Sequence, residues 1–220
     1  RDAAMLSWYS TYDPLEIVVE DDDAFDILQR RARSEGLDAT VLLLTQDVDV
    51  PVIAVALRGE EWPAFAMGSA AGLDPADAAV GALEEALQNW LELRGMGRDG
   101  AGEAAGAIGH YAGRPDDAAS LVDAETAVPL SSVGPESVPE DGVAELSMLV
   151  ERVTGAGLDP YATRLTTRDL EQLGFEAVRV LAPTAQPLFF DEPYFGERAR
   201  RVPDELGFEP RLDRAHHPFP

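Results

Sequence analysis

The sequence contains no cysteine and no lysine; all 17 of its basic residues are arginine. Without cysteine there is no thiol nucleophile, no disulfide and no Cys-ligated zinc or iron–sulfur centre. Without lysine, these residues hold neither a Schiff-base amine nor a P-loop ammonium. Histidine is scarce, with three residues. His110 lies in a Gly-rich stretch with no evident serine or aspartate partner, so a hydrolase triad finds no support. His216 and His217 are adjacent, and no third ligand is evident that would close a metal site. Positive charge is also scarce, with 17 basic residues against 41 acidic ones and a formal charge of −24. Such a chain lacks the basic patches that displace counterions from nucleic acid. No secretory signal and no apolar run of membrane-spanning length occurs, so the expected location is the cytoplasm.

What is present suits a globular protein. The sequence is 45% hydrophobic over 220 residues, enough for a core. An acidic surface with arginine in place of lysine is similar to that of proteins from high-salt cytoplasm, where ions screen the self-repulsion. The chain opens on Arg1 and not on methionine, and so reads as a processed or partial version of a longer one.

Local patterns organise the first half. Residues 14–20 read as a short strand. Residues 22–35 read as a helix, with acids in the first turn, arginines in the last and Gly36 as its stop. Residues 39–45 and 51–57 are continuous apolar runs of strand length, as expected for central strands of a sheet covered on both faces. Residues 64–69 would pair with the second of these across the GEEWP turn. A long helix follows over Pro75–Leu93, with Asp74 as N-cap, Pro75 at the first position and Gly95 as its end. Its apolar face comprises Ala79, Ala82, Leu83, Ala86, Leu87, Trp90 and Leu91. Residues 97–142 form a Gly/Ala/Pro-rich insertion, read as loops around short helices near 103–112 and 116–124. Residues 143–154 read as an amphipathic helix, 159–165 as a strand, 167–173 as a short helix and 176–182 as a strand. The tail 183–220 holds seven of the sixteen prolines and is expected to be extended around the body, not helical. The expected class is α+β, a mixed sheet with packed helices.

Four groups of residues could carry chemistry. On the long helix, Glu85, Gln88 and Glu92 are spaced three and four apart and share a stripe. A carboxylate and a carboxamide one turn apart can hold a hard cation such as magnesium, which keeps waters and nucleotide phosphates as its other ligands. A solvated helix face has the same pattern, and Glu84 beside it reads as surface. The segment GSAAGLDP (68–75) leads from a strand into a helix N-terminus. Its small residues would let backbone N–H groups approach an anion, or simply allow tight packing. The terminal HHPFP would hold the Pro220 carboxylate in one place, unless it frays. Arg198, Arg200 and Arg201 could fork onto phosphate or carboxylate, although ion pairing with local Glu and Asp is the expected role in so acidic a chain.

Taken in order, LTQDVDVPVIAVAL, MGSAAGLDPADAAVGALEEALQNW, GFEAVRVLAPTAQPLFFDEPYFGERARRVPDELGF and the final HHPFP resemble the C-terminal part of a YcaO domain. The resemblance spans residues 1–220 and is weakest over 97–142. It implies an enzyme that uses ATP and Mg2+ to phosphorylate a backbone amide oxygen of a peptide or protein substrate. A nearby nucleophile then attacks, giving an azoline heterocycle (cyclodehydratase) or, with sulfide, a thioamide. It also implies a TfuA-like or precursor-binding partner and a homodimer. Carried over by residue, Glu85 and Gln88 match the family's metal–nucleotide residues. Arg1 matches the arginine that ends the Glu-x-x-Glu-Arg motif and would face the phosphates. Pro218 and Pro220 match the last prolines of the tail, whose terminal carboxylate lies near the active site. His216, Gly81, Ala70 and Gly72 depart from the pattern. The family's two motif glutamates and its Ser/Lys-bearing loop would lie upstream of Arg1. These departures motivate an alternative, a non-catalytic module that holds a peptide or partner. An unrelated acidic α+β enzyme is a third reading.

Overall fold

The computed structural model describes every residue except 13–14, 104–107, 114–115, 190–191, 216 and 220. The chain opens with α1 (Asp2–Trp8), β1 (Leu15–Val18), α2 (Asp23–Ser34), β2 (Leu37–Leu43), β3 (Val52–Gly59), β4 (Phe65–Ala71) and α3 (Pro75–Glu103). It continues through α4 (Ile108–Tyr111), α5 (Asp116–Val122), β5 (Thr126–Pro129) and a 3-10 turn at Leu130–Ser132. The last elements are α6 (Gly142–Gly155), β6 (Tyr161–Arg164), α7 (Arg168–Gln172), β7 (Val178–Leu181) and α8 (Arg198–Leu206).

Five strands form one sheet in the order β4-β3-β2-β1-β5. The β1–β5 pair is parallel and the others are antiparallel, so the sheet is mixed and the class is α+β. The apolar runs occupy β2 and β3 in the interior of the sheet, and both faces of β3 are covered. Ile53, Val55 and Leu57 meet α2 and α3 on one side. Ala54 and Ala56 meet α1, Tyr111, α5 and the tail on the other. This two-sided burial is why the runs carry no polar alternation.

The helix boundaries follow their caps. The Asp22 carboxylate accepts a 2.7 Å hydrogen bond from the Phe25 amide at the start of α2. The Asp74 carboxylate accepts one of 2.8 Å from Ala76 at the start of α3. Each satisfies a donor that the first turn leaves without a helical partner.

Several expectations need correction. α3 does not stop at Gly95; Gly97, at φ 72°, interrupts it and a further stretch runs to Glu103. Leu91, placed on the apolar face, is exposed. The 97–142 insertion contributes β5 to the sheet, a parallel pairing with β1 that no local pattern announces. The expected helix near 103–112 falls partly on residues outside those described; of it, α4 is seen. The tail is not extended throughout. α8 forms at 198–206 and ends at Gly207 in the left-handed conformation, φ 85°.

The segment from α6 to β7 contributes little to the core beyond Leu158. No residue of α6, β6, α7 or β7 is buried. The apolar stripe of α6 (Val143, Leu146, Val150) points outward.

Candidate functional site

The stripe on α3 is not a solvated face along its length. Gln88 and Glu92 are exposed, as is Glu84, but Glu85 is half-buried against β4. β4 is the edge strand, so its outward N–H and C=O groups have no strand partner. α3 supplies the partners instead. The Ser69 amide donates a 2.5 Å hydrogen bond to Glu85 Oε2. One turn along, Asn89 Nδ2 donates a 2.8 Å hydrogen bond to the Met67 carbonyl. Two helix residues four apart thus satisfy two strand residues two apart.

The approach is close because of Gly68, between those two strand residues. A β-carbon there would lie 2.2 Å from the Ala86 amide nitrogen and 2.4 Å from the Ala82 carbonyl oxygen. At Gly81 a β-carbon would meet that of Ala70 at 3.2 Å. The small residues of GSAAGLDP therefore serve helix–strand packing. The Ser69 N–H is committed to Glu85, and Asp74 already answers the positive end of α3, so the segment forms no open anion cradle.

Bonding to Ser69 orients the Glu85 carboxylate through a charge-assisted contact. Among the described residues its second oxygen, Oε1, has no hydrogen-bond partner. Gln88, one turn on, is exposed with no partner among them. No group of three or more His, Asp or Glu that could hold a metal occurs among the described residues. One anchored carboxylate and one amide oxygen fit a cation whose remaining ligands are phosphates and water, the habit of magnesium. They do not make a cage that would hold a bare ion.

Arg1 is placed elsewhere. It precedes α1 on the other face of the sheet, its side chain is exposed, and no contact joins it to Glu85 or Gln88. Pro220 lies outside the described residues. The tail leading to it is docked, not frayed. Trp8 Nε1 donates to the Ala215 carbonyl at 2.9 Å, and the Arg214 guanidinium lies 3.6 Å from the Trp8 ring centroid. The His217 ring nitrogens lie 2.7 Å from the Phe189 carbonyl oxygen and 3.1 Å from that of Phe219. His217 therefore has a backbone role; His216 lies outside the described residues. Pro218 shares a narrow cleft with Met67 and Asn89, which brings the tail to the strand edge that carries Glu85. His110 is exposed and makes an edge-on ring contact with Tyr111.

Arg198 is an ion-pairing residue, but its partners are not the local acids expected: they are Asp2 and Asp47, distant in sequence. Arg201 pairs locally with Glu205. Sequence reasoning did not single out Asn89, Asp2 or Asp47. Only Asn89 left a trace, as a polar residue among the apolar positions of α3.

The fold is similar to that of a set of solved heterocyclase and YcaO structures. A heterocyclase in complex with substrate and cofactor aligns with a TM-score of 0.79 at 24% identity, over 94% of this chain and 28% of that one. The heterocyclase TruD aligns at 0.75 and 24% identity, with the same coverage of 94% and 28%. YcaO from Methanopyrus kandleri, bound with AMPPCP and Mg2+, aligns at 0.66 and 23% identity, over 84% of this chain and 48% of that one. The chain thus spans between about a quarter and a half of the length of these proteins. The profile of the family described as YcaO cyclodehydratase, ATP- and Mg2+-binding, matches residues 1–186. The chain belongs to the YcaO family, whose cofactors are ATP and Mg2+. No match is found among the curated proteins. Among the described residues no helix is long and apolar enough to cross a membrane.

Proposed function

We propose that this chain is the C-terminal part of an ATP-dependent peptide cyclodehydratase. In this reading the backbone amide oxygen of a peptide substrate is phosphorylated, and a neighbouring Cys, Ser or Thr side chain attacks the activated carbon to form an azoline. The observation that carries the reading is the anchored Glu85 carboxylate, with one oxygen fixed by Ser69 N–H and the other free at the sheet edge. Family membership and the likeness to heterocyclase structures support it.

Glu85 and Gln88 would hold the magnesium–nucleotide. Magnesium, when bound, neutralises phosphate charge and aligns the transferring group. The protein residues position and neutralise; phosphoryl transfer asks little covalent chemistry of them. Held by fixed groups, the nucleotide loses no further freedom at the moment of transfer. An acidic protein could take up a polyanion in this way, because a cation held by Glu85 and Gln88 would offset the negative charge. The likeness to heterocyclases favours a heterocycle over a thioamide, which would need a sulfide donor and a TfuA-like partner.

The test is phosphate release from ATP by the full-length protein in molar KCl, with and without candidate Cys-, Ser- or Thr-containing peptides. The reading expects peptide-stimulated release together with loss of one water from the peptide. Absence of any peptide-stimulated release would contradict it and favour the non-catalytic peptide-holding module.

A further inference from the structure

The C-terminal tail closes on a buried histidine that the proposed chemistry does not use. His217 is 1% exposed. Its Nε2 lies 2.7 Å from the Phe189 carbonyl oxygen, and its Nδ1 lies 3.1 Å from that of Phe219. A carbonyl oxygen only accepts, so a ring nitrogen that faces one must carry a proton to bond. A neutral imidazole has one N–H and satisfies one of these contacts. The other contact then sets a nitrogen lone pair against a carbonyl oxygen, in a place shut off from water. The imidazolium has two N–H groups and satisfies both.

The surroundings of the ring are largely aromatic. Phe189 meets it edge-on, with centroids 6.0 Å apart, and Phe219 stacks on it at 6.2 Å. From the end of α1, Tyr9 reaches the His217 backbone. Burial pushes the Tyr9 phenol up to about 12, so it stays neutral over the range in which histidine titrates. From the tail itself, Arg214 lies over the Trp8 ring and donates to the Trp8 carbonyl at 2.9 Å. Its charge has the same sign as an imidazolium and opposes it, as burial does. From α4, Tyr111 lines the cleft beside Pro218. The two carbonyl contacts favour the charge, and the shorter of them joins the tail to the rest of the fold.

We infer that His217 is a proton-operated latch for the C-terminal tail: as imidazolium it ties the tail to the Phe189 segment, and on losing its proton it releases the tail. Pro218 then leaves the cleft that it shares with Met67 and Asn89, on the strand edge that carries Glu85. Docked, the ring holds its proton more tightly than in a freed tail, where histidine titrates near about 6.5. Docking is therefore fully supported below that value and is lost as pH rises through the higher docked one. Between the two, the docking equilibrium falls about tenfold per pH unit.

The experiment titrates the full-length protein and its H217Q variant by NMR, with isotope at the nitrogens of histidine and tryptophan. Two signals are read. One is the pair of ring-nitrogen shifts of His217. The other is exchange protection of the Trp8 indole N–H, which donates to the tail at Ala215. The expected result is a ring with both nitrogens protonated below about pH 6.5 and a midpoint above it. Indole protection, corrected for the intrinsic rate at each pH, should fall through that same midpoint in the wild type and show no such step in H217Q. A midpoint below about 6.5, one neutral tautomer across the range, or indole protection that does not follow the His217 midpoint overturns the inference. The same step in H217Q overturns it too. Should H217Q leave the tail undocked at every pH, the wild-type ring titration and its coincidence with the indole step decide alone.

Discussion

At Gly68 the geometry leaves no room for a side chain. A β-carbon 2.2 Å from the Ala86 amide would force α3 off β4 and break both bonds that the helix makes to the strand edge. G68A is therefore expected to destabilise the protein by about 3 kcal/mol or more, the upper end of overpacking costs. Denaturant titration checks this. Leu91→Ala on the exposed side of the same helix should change stability by less than about 0.5 kcal/mol. Gly68 matters to the site as well as to the fold, because the approach it permits is what brings Glu85 to Ser69.

Among the elements, β2, β3, β4, α2 and α3 were legible because their signals are local. Apolar runs of strand length, the GEEWP turn, and the acids at Asp22 and Asp74 each act within a few residues of where they stand. β5 was not legible, since its pairing with β1 joins residues more than a hundred positions apart. α8 was hidden by the prolines around and within it. The same division holds at the site. Glu85 was singled out as a candidate from its spacing, whereas Asn89 and the Asp2–Arg198–Asp47 cluster depend on tertiary approach. The β6–β7 hairpin, lacking buried residues, relies on local polar contacts. Glu176, in the turn before β7, is held at about 2, below its ordinary 4.5, first by a hydrogen bond from Arg164 and then by one from Thr166. Because its folded pKa is depressed, this support is present above pH 4.5 and is lost as pH falls from there towards about 2. Hydrogen-exchange protection factors for β6 and β7 should fall over that window ahead of those for β3. In E176Q they should be low throughout, with no such step.

For the whole molecule, 41 acidic against 17 basic residues set a self-repulsion that salt screens. The unfolding temperature is expected to rise between tens of millimolar and molar KCl, measured by scanning calorimetry; a fall across that range would contradict a repulsion-limited fold. The same excess of acid makes the nucleotide depend on a bridging cation, so ATP binding should require Mg2+ and not merely tolerate it. Glu85 is an acid that the fold anchors through one oxygen and leaves open at the other. The most direct measurement is a calorimetric titration of the full-length protein and of E85Q with ATP, with and without Mg2+, at fixed ionic strength. The account predicts that E85Q keeps the wild-type unfolding temperature to within a few degrees and loses at least about tenfold in Mg-dependent ATP affinity. Equal affinities in a folded E85Q would remove Glu85 from the nucleotide site and contradict the account.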